Sequence, residues 1–345
     1  MSSSDILIRL SDADAGYLEA VAKFPSILAA RAHSLESLER IRVHLSKTPP
    51  PPESDIDMLA VAGSLARLEA STNSDLDLIM VTSGVCASQG GAGPAGLWRD
   101  QLCTDLGLEA PNKKGVFFAP EHRANLERIA GESGESYETV AKRALLILES
   151  RWVYNESIYI SLVEKTIDCY SKDVFADSTK NFVFLLNDII RYFRSLCVNY
   201  QHTKSEIEYG KWPIRNIKLR HSRVVMYFSM ILVIGILSTV RDRDKIEALK
   251  RFIAMEPLRR IYNCYQLSGD AGFEVFGRHY AEFLEMLSQS AVRIDLEGLD
   301  YEMRYMSPHF SRLKDNSDEL SIELMRFYDA RRGSWDRRFF EYMIL

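Results

Sequence analysis

Two aspartates separated by a single leucine, Asp75 and Asp77, are the residues in this chain best suited to chemistry. They lie in the stretch Val61-Ala62-Gly63-Ser64-Leu65-Ala66-Arg67-Leu68-Glu69-Ala70-Ser71-Thr72-Asn73-Ser74-Asp75-Leu76-Asp77-Leu78-Ile79, ten residues beyond a Gly-Ser pair. The apolar run Met58 to Ala62 reads as a short strand ending at Gly63-Ser64, and Leu76 to Val81 as a second strand that begins among the acids. Residues i and i+2 of a strand point to one face, so the two carboxylates converge. Side by side they repel unless something positive sits between them. A hard divalent cation, Mg2+ or Mn2+, suits the pair, because it takes one or two carboxylates and completes its shell with water and substrate phosphates. Gly63 permits a close backbone approach, and the Ser64 hydroxyl with neighbouring N–H groups can hold phosphate oxygens. Two metals held this way would stabilise the attacking and leaving oxygens of an in-line displacement at phosphorus. The plainer alternative is a surface loop with two acids at a strand start.

The segment resembles the signature of the DNA polymerase beta-like nucleotidyltransferase superfamily: an apolar strand, Gly-Ser, then Asp-x-Asp on the next strand. Arg67 and Glu69, followed by Ser74-Asp75, are similar to the subgroup around the protein-PII uridylyltransferases, which carries Arg-Gly-Glu before Ser-Asp-Ile-Asp; Leu68 departs from that glycine. The likeness covers about residues 57–82 and is vaguer in the helices beyond. It implies transfer of a nucleoside monophosphate from a nucleoside triphosphate such as ATP to a protein, nucleotide or RNA acceptor, with release of pyrophosphate. Asp75 and Asp77 would then be the catalytic metal ligands, with Gly63, Ser64 and Arg67 toward the nucleotide. The superfamily usually adds a third carboxylate from a later strand. Here the obvious later strand, Lys114 to Ala119, carries none. Glu121 and Asp105 are the nearest acids, and Glu149 or Asp188 could enter from the helices that follow. Without a third acid, the alternative is a catalytically silent nucleotide-binding or regulatory protein, a toxin–antitoxin or signalling component.

The elements that would position these residues suggest an α+β chain. At 345 residues, 46% apolar and 26% charged, it is long enough for two soluble domains. Its net charge of -5 argues against a general nucleic-acid coat. Five scattered cysteines without a CxxC pair read as reduced thiols, which fits a cytoplasmic protein. Residues 15–46 carry helical spacing, and Pro49 to Pro52 make a stiff linker. A Gly/Ala-rich loop over 84–96, a helix over 97–107 and a brief strand at Val116 to Phe118 follow, and beyond 121 the pattern is nearly all helical. The expected layout is an N-terminal helical segment (1–48), a small mixed-sheet nucleotidyltransferase domain (53–135) and an all-α domain (136–345).

Within the helical part, Asn187, Arg191 and Arg194 share one face at i, i+4, i+7, as do Lys211, Arg215 and Lys218. Cations on helices this apolar are costly to bury unless paired or serving an anion, so both faces are candidates to meet a triphosphate or to form ion pairs. Val224 to Val240 is uncharged for 17 residues between Arg223 and Arg241. That is short for a membrane span, so it reads as a buried central helix with no membrane partner, and it could serve a homo-oligomer interface. Arg215 and His221 loosely resemble the Arg-x5-His of HEPN ribonucleases. The tail Arg331 to Phe340 mixes cations with aromatics, suiting either RNA contact or docking onto the fold.

Overall fold

The computed structural model describes residues 3–72, 74–84, 91–108, 115–128, 135–171, 182–202, 211–240 and 244–344. The first elements are α1 (Ser3–Ala15), α2 (Tyr17–Val21), α3 (Pro25–Lys47), β1 (Ile56–Val61), α4 (Gly63–Ala66), β2 (Leu78–Thr82) and α5 (Pro94–Leu106). Then come β3 (Glu121–His122), α6 (Arg123–Leu126), α7 (Tyr137–Leu148), β4 (Arg151–Tyr154), α8 (Glu156–Ser171), α9 (Val183–His202), α10 (Trp212–Lys218) and α11 (Val224–Leu237). The last are α12 (Asp244–Ile253), α13 (Pro257–Leu267), α14 (Phe273–Ser288), α15 (Ser290–Gly298), α16 (Pro308–Asp329) and α17 (Arg337–Tyr342). The chain is α-rich with one small mixed sheet, so its class is α+β. It divides into two compact units, Ala30–Val174, and Met1–Ala29 with Phe175–Leu345.

The Ala30–Val174 unit is built on a four-stranded sheet in the order β3-β2-β1-β4. β1 is antiparallel to both β2 and β4, whereas β2 and β3 are parallel. β1 and β2 are apolar almost throughout because they are buried on both sides. Their side chains pack with Leu38, Ile41 and Leu45 of α3, Leu102 and Cys103 of α5 and Val153 of β4. Each such aliphatic side chain contributes roughly 1.5–3 kcal/mol on burial. The second half of α3 is therefore part of the sheet's core rather than a separate N-terminal segment. Likewise α7, β4 and α8 belong to this unit, which ends near 174 rather than 135.

Two strand expectations change. Val116 to Phe118 is a turn, closed by Phe118 N–H on the Gly115 carbonyl, while buried Arg99 donates to the Phe118 carbonyl and lies over its ring. The strand beside β2 is Glu121–His122 instead. β4, within a region expected to be helical, completes the sheet at β1's other edge; Asn155 turns the chain after it with φ +55. Pro94 to Gly96 begin α5 rather than extend the glycine-rich loop, and residues 85–90 of that loop lie outside the described residues.

The other unit is helical. α11 is apolar on every side, as a fully enclosed helix is. It packs on α9, α12 and α13. Among the described residues one helical stretch, Trp212–Leu237, is long and apolar enough to cross a membrane, and most of it is buried within the fold. A π-helical turn, Leu219–Arg223, joins α10 to α11 and places His221 in the interior. The C-terminal segment docks: Trp335 and Phe339 are buried, and the Trp335 indole covers Gly235 of α11 so closely that a β-carbon there would clash.

Candidate functional site

The Gly-Ser turn and the acidic pair meet at one end of the β1–β2 ladder. Val61 pairs with Leu78, and the pairing runs one step further through Ala62 N–H to the Asp77 carbonyl, 2.8 Å. Asp75 and Asp77 thus lie in the extended lead-in to β2, just ahead of its first residue. Leu76 is buried, Asp75 is exposed and Asp77 is half-buried, the alternation that puts both carboxylates on the side away from the core.

Gly63 stands directly beneath Asp77. Its φ is +68, and a β-carbon built on it would run into the Asp77 carboxylate. Only a residue without a side chain accepts both the backbone conformation and that approach. Ser64 follows, half-buried, in the single turn α4. The loop returning to Asp75 is pinned at several points. Glu69 N–H bonds the Ser64 carbonyl at 3.0 Å, Ala70 N–H bonds Ser34 Oγ at 2.9 Å, and Arg151 Nε bonds the Ala66 carbonyl at 2.9 Å.

Arg67, expected toward the nucleotide, turns into the fold. It is buried, with Nε donating to Glu69 and Nη1 to Glu149, so its charge is countered inside the fold. Leu68 beside it has φ +59, a left-handed backbone that a residue with a side chain adopts only at a cost. Burial of the Leu68 side chain in the sheet core offsets the strain.

The candidates for a third acid separate clearly. Glu121 pairs in register with Val81, four residues beyond Asp77 along β2 and thus about 13 Å away along the strand. It is buried and receives Asn125 Nδ2 at 2.8 Å, the Thr139 hydroxyl at 3.1 Å and the Lys142 ammonium at 3.5 Å. Burial holds Lys142 below the usual lysine range, with Glu121 pulling the other way. Asp105 lies on α5 and accepts from Gln101 at 2.7 Å. Asp188 lies in the helical unit and pairs with Arg191 at 3.0 Å. Glu149 alone reaches the turn, accepting the Gly63 N–H at 3.2 Å. Glu149 was among the candidates named from the sequence, but its route to the turn depends on β4, which the sequence pattern did not reveal.

Asp75 and Asp77 suit a divalent ion in one respect that can be tested on the fold: the glycine leaves room for Asp77 to sit at the mouth of the turn. Among the described residues, no three His, Cys, Asp or Glu side chains group to hold a metal. Water and phosphate oxygens would therefore have to complete the shell.

The remaining predicted residues belong to the helical unit. Asn187, Arg191 and Arg194 do share an exposed face of α9. Lys211 is exposed at the start of α10, whereas Arg215 and Lys218 are half-buried along it. His221 is fully buried, bonded to the Ile217 carbonyl at 2.9 Å and Asn316 Oδ1 at 3.0 Å and stacked on Phe283, which leaves no way for it to act as an exposed ribonuclease histidine. No family model, curated protein or solved structure matches the chain.

Proposed function

We propose that the Ala30–Val174 unit binds a nucleoside triphosphate together with Mg2+ or Mn2+ and transfers the nucleoside monophosphate to a protein, nucleotide or RNA acceptor. The observation that carries it is the seating of the Asp77 carboxylate on the side-chain-less Gly63, with Asp75 beside it open to solvent. Asp75 and Asp77 would hold the metal, which when bound supplies charge neutralisation and polarisation at the phosphates. The chain's own groups do the rest. Gly63 keeps Asp77 at the mouth of the turn. The Ser64 hydroxyl and the turn's backbone face the phosphate oxygens. The pinned loop between Ala66 and Ser71 keeps the two carboxylates from relaxing apart.

A second reading is metal-dependent nucleotide binding without turnover. It is favoured by the engagement of both candidate glutamates, since Glu121 and Glu149 are each buried and bonded. Incubation with each labelled triphosphate, Mg2+ or Mn2+ and a cell extract separates the two. Label transfer or pyrophosphate release that Asp75→Ala with Asp77→Ala abolishes supports transfer. Binding without release supports the second reading, and loss of both sinks the site.

A further inference from the structure

Glu149 lies between α7 and β4, and sheet register decides where it ends up. β4 pairs with β1 through Val61 and Arg151, so extending that antiparallel register by two residues brings Glu149 opposite Gly63. On the other side of Gly63 stands Asp77. The glycine is thus flanked by two acids of opposite character. Asp77 is half-buried at the mouth of the turn, while the Glu149 side chain is fully enclosed.

Both Glu149 oxygens are engaged: Oε1 accepts the Gly63 N–H and Oε2 accepts Arg67. Arg67 in turn donates to Glu69. This carboxylate–guanidinium–carboxylate chain ties residue 63 to residue 69 across a turn holding two left-handed residues, Gly63 and Leu68. A non-glycine residue in that conformation costs on the order of 1 kcal/mol and persists only where its surroundings hold it. Breaking a buried pair is more costly still, because it strands the partner's charge away from water. A side chain so enclosed, with both oxygens bonded, is a brace for the turn, not a donor to a solvent-facing cation.

We infer that Glu149 is a positioning residue: acting through Arg67 and the Gly63 N–H, it holds the Gly63–Ser64 turn beneath Asp77 and does not ligate the metal. The inference rests on the proposed nucleotide site, and the following comparison keeps the two apart. Wild type, Glu149→Gln, Arg67→Lys and Asp77→Asn are measured by Mn2+ binding with electron paramagnetic resonance, by binding of fluorescent ATP and GTP analogues with Mg2+, and by hydrogen–deuterium exchange over residues 59–68. In Glu149→Gln the new NH2 cannot accept, so either the Gly63 N–H or the Arg67 guanidinium loses its partner. Exchange should quicken about tenfold at the turn and analogue affinity fall about tenfold, the scale of one lost buried charged hydrogen bond. Mn2+ affinity should stay within about twofold, as for a residue that makes no metal bond. Arg67→Lys, which keeps a cation at the pair, should fall between wild type and Glu149→Gln. Asp77→Asn should lose Mn2+ with exchange unchanged. Loss of Mn2+ in Glu149→Gln as deep as in Asp77→Asn would make Glu149 a ligand and overturn the inference, as would unchanged exchange. Should Glu149→Gln not fold, Arg67→Lys decides by the same readouts. If wild type binds neither Mn2+ nor the analogues, the nucleotide site has failed on its own, and exchange at the turn still decides the brace.

Discussion

Strand β2 is flanked by acids at both ends, and the two ends differ in kind. At its start, Asp75 is exposed and Asp77 rests on a glycine. Alongside its far end, Glu121 is enclosed by Asn125, Thr139 and Lys142. An enclosed carboxylate with a full set of donors is architecture, since its energy is spent within the fold. Carboxylates nearer the surface contribute less to stability, and the proposed site gives this pair its use.

Four measurements would break or sharpen that contrast. Replacing Asp75 and Asp77 together with asparagine should cut pyrophosphate release about a thousandfold or more, the scale of losing charge stabilisation at a transferring phosphoryl group. The melting temperature should hardly move, and a large drop instead would make the pair structural. Glu121→Ala should do the reverse, costing roughly 3–5 kcal/mol in urea unfolding by stranding Lys142, with Mn2+ binding per folded molecule unchanged. Gly63→Ala should cost about 1–2 kcal/mol from its positive φ and its collision with Asp77, and should weaken Mn2+ binding as well.

The smallest effect extends the rule for enclosed charge to the helical unit. Lys245 is buried near the Phe182 ring, and burial lowers its pKa from 10.5 to about 8 with Asp336 opposing. Between those values Lys245 holds more proton in the unfolded chain than in the folded one, so its own contribution to stability should rise as pH climbs from about 8 toward about 10.5. The difference between wild type and Lys245→Met in urea midpoint, taken at about pH 7.5 and about pH 10, tests this: the wild type should gain on the variant as pH rises.

What could be read from the sequence was local. Gly63, Ser64, Asp75 and Asp77 are joined by one short connection, so their meeting follows from spacing and strand alternation. The shared face of Asn187, Arg191 and Arg194 follows from helical period alone. The burial of Arg67 was not legible because it depends on Glu149, 82 residues away, and no local pattern carries that contact. β3 was misplaced because apolar Val116 to Phe118 packs as a turn around Arg99, while the true strand is two residues long. β4 hid inside a helical stretch because its burial reflects pairing with β1 rather than any alternation of its own.

The order of the units along the chain has a consequence for biosynthesis. Residues 30–174 are inserted within the other unit, whose helices α1 and α2 are made ahead of them. Asp14 of α1 finds Arg259 of α13 only after 245 further residues have been synthesised. The inner unit closes its sheet much earlier, once β4 follows β1. A nascent chain halted near residue 174 would therefore hold every strand of the sheet while α1 and α2 still lacked the helices that cover them. Helices α1 and α2 are made ahead of the sheet yet buried after it, and a chaperone has that interval in which to shield their apolar faces.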